Sequence, residues 1–191
     1  ATSVATDGQT EIWVKAGTYY GDTQNDKGAF PMYKNNRVYG GFRGDESPDF
    51  NLDDRDIESN PTILDGNNER RLLFQTDHFM NAFYSLWDGF TIQNGVSGAG
   101  GGAYLCSNSR LYNCKFINNR ANGFGGAVRI ISAKYDNAIN KIENCYFENN
   151  VGSMGGAIFD MTGSQLINNK FINNTATTKG GALYVYANKT P

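Results

Sequence analysis

The sequence predicts an all-β fold, a right-handed, single-stranded parallel β-helix of about seven or eight coils, from three observations. First, the stretch FINNRANGFGGAV at 116–128 returns as FENNVGSMGGAI at 147–158 and as FINNTATTKGGAL at 171–183. Second, the copies start 31 and 24 residues apart, a range typical of solenoids, whose units bury their apolar faces only against neighbouring units. Third, β-branched and aromatic residues alternate in short runs while Gly and Asn fill the intervals, which disfavours helical repeats.

The repeats align on a double glycine followed by alanine. The four copies are Gly101-Gly102-Ala103-Tyr104, Gly125-Gly126-Ala127-Val128, Gly155-Gly156-Ala157-Ile158 and Gly180-Gly181-Ala182-Leu183, separated by 24, 30 and 25 positions. We expect each repeat to contain two or three short strands. The glycine pair fits one sharp turn, and the Asn-Asn pair, which tolerates left-handed backbone angles, fits another.

The recurring letters predict two ladders of side chains along the axis of the coil. One consists of Ile92, Phe116, Phe147 and Phe171, which would stack at about 4.8 Å, the spacing of hydrogen-bonded strands. The other consists of Asn119, Asn150 and Asn174, whose amides can hydrogen-bond from coil to coil. Cys114 and Cys145 hold the same position of the repeat, so they are expected either to stack in the core as small apolar residues or to form a disulfide.

The coil is predicted to run through the chain as one continuous domain with two parts. Residues 1–86 would form irregular coils, marked by runs such as EIWVKAGTYYG, NRVYGGFRG, NPTILDGN and RRLLFQ, and residues 87–191 would form the regular repeats. An acidic loop at 44–60 and a segment at Ser132–Asn140 interrupt the coil, and insertions in solenoids are often on the binding side. Because the chain begins without Met and ends directly after a repeat, we expect a piece of a larger protein.

Composition and charge argue against two classes of partner. The 191 residues carry 17 Lys and Arg against 19 Asp and Glu, and this net charge of −2 offers no broad basic surface to nucleic acid. The longest apolar runs contain a few residues, far short of the roughly 20 that a membrane helix needs, so no transmembrane segment is predicted. The three cysteines, Cys106, Cys114 and Cys145, show no CxxC spacing, so no zinc site is indicated.

The motifs FxxN and GGA followed by Ile, Leu or Val resemble the repeats of the chlamydial polymorphic outer-membrane proteins and of related bacterial surface β-helix proteins. The resemblance covers the chain from Trp87 onward, although Ile92-Gln93-Asn94-Gly95 and Tyr104 depart from the pattern. It implies the extracellular passenger region of an adhesin-like protein. The resemblance brings no catalytic residue with it.

Parallel β-helices also include pectin and alginate lyases and polygalacturonases, so an enzyme is the alternative. A hydrolase needs two or three carboxylates spaced across one exposed face. The only adjacent pair is Asp53-Asp54 in the acidic loop, and His78, the single histidine, has no second histidine to work with. These residues give a hydrolase little support.

A lyase needs a cationic base and often calcium. Arg129 with Lys134 and Lys141 would place positive charge near the second insertion. Calcium is an alternative for the acidic loop, although no D-x-D-x-D-G spacing appears there. The acidic residues concerned are Asp45, Glu46, Asp49, Asp53, Asp54 and Asp56.

A candidate ligand surface follows the double glycine. If Val128 and Ile130 point inward, alternation turns Arg129 outward, and the same phase is assigned to Leu105, Phe159 and Tyr184. The predicted ligand-binding residues are therefore Leu105, Arg129, Phe159 and Tyr184. They would offer aromatic, apolar and guanidinium groups to a sugar ring or to a protein.

The predicted function is that of a non-catalytic extracellular segment of a secreted or bacterial cell-surface protein, serving as an adhesin, a display stalk or a glycan-binding β-helix. No catalytic residue, metal or cofactor is assigned, apart from the calcium alternative. The partner would be a glycan or protein on a host or neighbouring cell surface, or another part of the parent protein. The alternative function is a polysaccharide lyase or glycoside hydrolase whose active-site coils are only partly present.

Overall fold

The computed structural model describes residues 2–6, 9–21, 30–75, 84–106, 108–131 and 139–186. Within these ranges the chain forms 23 β-strands, one short 3₁₀-helix and no α-helix, so the all-β prediction is confirmed. His78, Lys134 and most of the second insertion, residues 132–138, lie outside the described residues.

The elements follow one another in short steps. The 3₁₀-helix spans Leu52–Asp54. The strands are β1 (Thr2–Thr6), β2 (Gln9–Lys15), β3 (Gly17–Tyr19), β4 (Phe30–Met32), β5 (Asn36–Phe42), β6 (Thr62–Asp65), β7 (Leu73–Gln75), β8 (Ser85–Asp88), β9 (Phe90–Gln93), β10 (Val96–Ser97), β11 (Ala103–Leu105), β12 (Ser109–Tyr112), β13 (Lys115–Ile117), β14 (Arg120–Ala121), β15 (Val128–Ile130), β16 (Lys141–Glu143), β17 (Tyr146–Glu148), β18 (Val151–Met154), β19 (Ile158–Asp160), β20 (Gln165–Ile167), β21 (Lys170–Ile172), β22 (Thr175–Lys179) and β23 (Leu183–Val185).

These strands assemble into four sheets. Their orders are β1-β2-β5-β8-β12-β16-β20 in sheet A, β3-β6-β9-β13-β17-β21 in sheet B, β4-β7-β11-β15-β19-β23 in sheet C and β10-β14-β18-β22 in sheet D. Among the described strands, each pair is parallel except β1 with β2. The chain passes from sheet A to B to C, and in later turns through D between B and C. The fold is therefore a parallel β-solenoid.

The described strands make six turns, fewer than the seven or eight coils predicted. The difference arises in the N-terminal part of the chain. The runs at 36–44, 60–67 and 70–75 were counted as separate units, but they contribute β5, β6 and β7, which are three sides of one turn. Strand β1 adds no turn because it pairs antiparallel with β2.

The core contains a ladder of apolar side chains on sheet B. Leu64, Ile92, Phe116, Phe147 and Phe171 lie in one register. The three phenyl rings stack with centroids 5.0 Å apart and interplanar angles of 7° and 11°. The first four side chains are buried, whereas Phe171, in the last described turn, is half-buried. Each inner ring is therefore covered on both faces by its neighbours.

The two asparagines of each Asn-Asn pair have different roles. The first of each pair has a left-handed backbone, with φ of 56° at Asn118, 55° at Asn149 and 52° at Asn173. The second points inward and bonds from turn to turn. Asn150 Oδ1 accepts from the backbone N and from Nδ2 of Asn119 at 2.9 and 3.0 Å. Asn150 Nδ2 donates to Asn174 Oδ1 and to Phe116 O, both at 2.9 Å.

The glycines set the register of sheet C, and the first copy differs by one residue from the predicted alignment. Gly100, rather than Gly101, is equivalent to Gly125. The N–H of Gly100 donates to Phe124 O at 2.9 Å, as that of Gly125 donates to Met154 O at 2.9 Å, and φ is 60° and 62°. A Cβ on Gly125 would lie 2.0 Å from a backbone oxygen, so glycine is required there. The run of three glycines at 100–102 concealed this register.

Residues 44–60 pack on the outer face of sheet A. Phe50 meets Trp13 edge-on, with ring centroids 6.3 Å apart and an interplanar angle of 72°. The Arg55 Nη2 atom lies 3.2 Å from Asp88 Oδ2, and both side chains are about nine-tenths buried. Although this segment is acidic in sequence, an aromatic contact and a buried arginine hold it against the solenoid.

Cys114 and Cys145 are free thiols buried in the core. The first of the two alternatives stated for the pair therefore applies, and no disulfide joins them. Burial is the largest cause that raises the pKa of Cys114 well above 9.0, and the hydrogen bond with Cys145 raises it as well. These thiols act as small apolar side chains.

Candidate functional site

An outward-facing column of side chains runs along sheet C. Its members, in order along the solenoid, are Phe74, Tyr104, Arg129, Phe159 and Tyr184. Leu105 does not face outward as predicted, because it pairs with Ile130 and is completely buried in the core. Because the first glycine pair is shifted by one residue, Tyr104 takes the outward position that was predicted for Leu105.

The aromatic rings of this column stack on one another. Phe74 and Tyr104 have centroids 5.3 Å apart at 29°, and Phe159 and Tyr184 have centroids 5.6 Å apart at 19°. Phe124 packs on Phe159 at 4.7 Å, which leaves Phe159 only 5% exposed. Phe159 is thus covered by rings on two sides, whereas Tyr184 stacks on one described ring and Tyr186 is 45% exposed.

A cleft of about 380 Å³ opens over Arg129, Phe159 and Tyr184. One wall consists of the residues that directly precede the left-handed glycines, Phe124, Met154 and Lys179. The other wall consists of Met161 and Tyr186, which follow β19 and β23. This sheet-C cleft is near the small end of ligand pockets, about 300–1,000 Å³.

The sheet-C cleft contains two cations without a described counter-charge. The Arg129 guanidinium lies over two rings, with Cζ 5.4 Å from the Tyr104 centroid and 5.1 Å from that of Phe124. Its Nε atom is buried and has no hydrogen-bond partner. In the part of the chain that the structure describes, no carboxylate lies within ion-pair distance of Arg129 or Lys179.

Arg71 extends the positive region beside the cleft. Its Cζ lies 5.0 Å from the Tyr104 centroid, so two guanidiniums, those of Arg71 and Arg129, lie near that ring. Arg71 Nε donates to Gly100 O at 2.9 Å, and Nη2 donates to Ser97 Oγ at 2.6 Å. Burial is the main cause that lowers the pKa of Arg71 to about 10, and the charge of Arg129 lowers it further. The side chain is still protonated at neutral pH.

A second groove, of about 790 Å³, lies between the 44–60 segment and the outer face of sheet B. Lys115 Nζ and Glu58 Oε2 form an ion pair across it at 2.6 Å. Tyr146 and Glu148 also line the groove. Desolvation and then the charge of Glu148 raise the pKa of Tyr146. This sheet-B groove holds a carboxylate, an ammonium and a phenol close together.

Two acidic side chains of the 44–60 segment accept hydrogen bonds from nearby backbone N–H groups. Glu46 Oε1 accepts from Arg43 N at 2.6 Å, and Asp56 Oδ1 accepts from Ser59 N at 2.9 Å. The backbone hydrogen bond from Ser59 is the main cause that lowers the pKa of Asp56. Among the residues that the structure describes, no three His, Cys, Asp or Glu side chains converge to hold a metal ion.

Two of the residues suggested for a lyase, Arg129 and Lys141, do not come together, and the third, Lys134, lies outside the described residues. Arg129 is on sheet C, whereas Lys141 begins β16 of sheet A and is ion-paired with Glu143 at 2.7 Å. Asp53 and Asp54, the pair considered for a hydrolase, lie exposed in the 3₁₀-helix. Arg129 and Lys141 are therefore on different sheets.

The reasoning from sequence missed most of the walls of the sheet-C cleft. Phe124, Met154 and Lys179 each stand directly before a double glycine, and this shared position was the available signal. Met161 and Tyr186 follow strands β19 and β23 and have no comparable motif. Only the register of sheet C shows that all five line one cleft.

Comparison with known proteins gives one family match. Residues 170–186, which contain β21, β22 and β23, match the Chlamydia polymorphic membrane protein repeat. No curated protein and no solved structure shows significant similarity to the chain. No helix among the described residues is long and apolar enough to cross a membrane. The match points to an outer-membrane or surface protein. The chain is a parallel β-solenoid that carries a repeat of the polymorphic membrane protein type.

Proposed function

We propose that the chain is a non-catalytic, extracellular segment of a bacterial surface protein and that it binds a partner molecule in the sheet-C cleft. The observation that carries this proposal is a cleft that combines apolar side chains with Arg129 and Lys179, neither of which has a described carboxylate partner. A buried donor such as Arg129 Nε lowers stability when it has no acceptor. A ligand that supplies the acceptor would remove this cost.

An adhesin role is favoured over that of a display stalk. A stalk needs the inner ladders, which Phe147 and Asn150 exemplify, but it does not need a cleft on its outer face. Met154 and Met161 line the cleft, and methionine adapts its flexible thioether to irregular partners at binding surfaces.

Polysaccharide cleavage is the second candidate function, and the sheet-B groove is the observation that favours it. Glu58, Lys115, Tyr146 and Glu148 combine the acid, cation and phenol that uronate elimination uses. Lys115, however, is already ion-paired with Glu58. We therefore rank this function below binding.

Binding is tested with labelled protein on intact epithelial cells and on an array of cell-surface glycans and extracellular-matrix proteins. The doubly substituted variant Lys179→Glu, Tyr186→Ser changes two exposed residues of the cleft, so it should fold normally and lose binding. The matched control, Lys170→Glu with Tyr20→Ser, changes exposed residues outside the cleft and should bind like the wild type. Wild-type binding that is absent, or that the cleft variant retains, would refute the proposal.

Cleavage is tested separately on pectate, polygalacturonate and alginate, with and without calcium. We expect no ultraviolet absorbance from unsaturated uronate product. Product formation that disappears in Lys115→Ala would establish the sheet-B groove as an active site. Product that disappears in Arg129→Ala would assign catalysis to the sheet-C cleft instead.

A further inference from the structure

The charge and shape of the sheet-C cleft narrow the class of partner, provided that the proposed binding function holds. We infer that the cleft binds a peptide segment in which an apolar side chain is adjacent to a carboxylate. Three features of the cleft support this inference: its cations without a described counter-charge, the apolar side chains in its walls and the covered ring of Phe159.

The positive charges of the cleft favour an anionic group on the partner. Arg129 Nε is buried without a partner, and a guanidinium offers parallel N–H donors that fit the two oxygens of a carboxylate. Lys179, exposed at the rim, has no described ion pair and adds a second positive charge. The outward edges of the stacked rings of Phe159 and Tyr184 are also electropositive. Among the described lining residues, no side chain is acidic.

The apolar side chains in the walls of the cleft favour an apolar group beside that anion. Phe124 and Met154 stand on one side of the cleft, and Met161 and Tyr186 stand on the other. A volume of about 380 Å³ is enough for a few side chains, rather than for a folded domain or a long sugar chain. An aliphatic or aromatic side chain would displace water from these walls, which is favourable in proportion to the apolar area covered.

The covered ring of Phe159 favours a peptide over an acidic glycan as the partner. Sugar rings usually lie flat on an exposed aromatic face, but Phe159 is stacked on Tyr184 and is packed by Phe124. The hydroxyls of a sugar would also face Met154 and Met161, which offer only weak acceptors. Polar groups buried without partners cost binding free energy. An apolar side chain meets neither penalty.

The test begins with random heptapeptides displayed on phage and selected on the immobilised wild-type chain. We expect enriched sequences with Asp or Glu next to Leu, Ile, Met or Phe. A synthetic copy of the winning peptide is then compared with its Glu→Gln or Asp→Asn analogue by fluorescence anisotropy. Loss of the carboxylate should weaken binding about tenfold, because a charge-assisted hydrogen bond becomes a neutral one.

Three protein variants locate the contact. Arg129→Met and Lys179→Gln should each weaken binding of the acidic peptide, and Arg129→Met should do so more strongly. Arg110→Met is the matched control, because Arg110 also lies over a tyrosine ring, that of Tyr84 at 3.8 Å, but on sheet A. The control should bind like the wild type. Since Lys179 is exposed, its variant tests the inference even if Arg129→Met fails to fold.

The contrary outcomes separate the inference from the proposed function. Peptides that need the cleft but bind equally well as amides would overturn the carboxylate requirement and leave the binding function intact. Cleft-dependent binding of oligogalacturonate, without any cleft-dependent peptide, would overturn the choice of peptide. If neither probe binds and the cell and array experiment is also negative, both the inference and the proposed function fail.

Discussion

Replacing Phe147 with alanine tests the aromatic ladder where it is most tightly packed. The side chain is completely buried, and its ring is stacked at 5.0 Å on Phe116 and on Phe171. Replacement of a buried phenylalanine by alanine costs about 3–5 kcal/mol through lost transfer energy and the cavity left behind. Each stacked pair adds about 0.5–1.5 kcal/mol beyond burial.

The upper part of that range is expected for Phe147→Ala, about 4–5 kcal/mol, because the hole cannot close easily. Parallel pairing on both sides fixes the backbones of Phe116 and Phe171, so neither ring can move far into the space. Phe171→Ala is the matched comparison. Its ring is half-buried and stacks on one neighbour only, so about 2 kcal/mol is expected.

Urea unfolding followed by tryptophan fluorescence and circular dichroism measures both variants, since Trp87 is buried in the same core. Equal costs for Phe147→Ala and Phe171→Ala, or a Phe147→Ala variant as stable as the wild type, would refute the stacked ladder.

Three further predictions concern the turns, the thiols and the packed loop. Asn150→Ala should lower the free energy of unfolding by about 1–3 kcal/mol, because it removes the turn-to-turn hydrogen bonds. The control Asn149→Gly is at an exposed left-handed position and should be nearly neutral. Urea unfolding measures both variants. The pKa of Cys114 is raised in the folded state, so the unfolded chain ionises this thiol at a lower pH. The free energy of unfolding should therefore fall above about pH 9, by about 1.4 kcal/mol per pH unit. A Cys114→Ala variant should show a shallower decline. Arg55→Met should lower the free energy of unfolding by about 3–5 kcal/mol, because it leaves Asp88 buried without its cation. The double substitution Arg55→Met, Asp88→Asn should recover part of this stability. If the double variant recovers none, the ion pair does not hold the segment.

The regular half of the fold could be predicted because its repeats carry their own register. FxxN fixes which residue of each turn is inside, so the pairing of Phe116, Phe147 and Phe171 follows from the spacing alone. The N-terminal turns lack that motif. Three strand-like runs there look like three coils in sequence, whereas the backbone makes them the sides of one turn.

The candidate site could be predicted only in part, because its outward residues depend on how the glycines at 100–102 align with the later repeats. Three successive glycines allow two alignments, and a shift of one residue exchanges Leu105 with Tyr104 between core and surface. The sequence cannot distinguish the two, because the left-handed conformation of Gly100 is a property of the backbone. Likewise, Met161 and Tyr186 reach the cleft only because β19 and β23 are neighbours.

A double-mutant cycle between Arg129 and the carboxylate of the selected peptide tests the central claim most directly. Anisotropy titrations give dissociation constants for the acidic and amide peptides with the wild type and with Arg129→Met. The account predicts about a tenfold loss on removing the carboxylate in the wild type, and little further loss when Arg129 is already methionine, a coupling of about 1.4 kcal/mol. An equal loss with both proteins would show that the carboxylate binds elsewhere and would contradict the assignment of the sheet-C cleft.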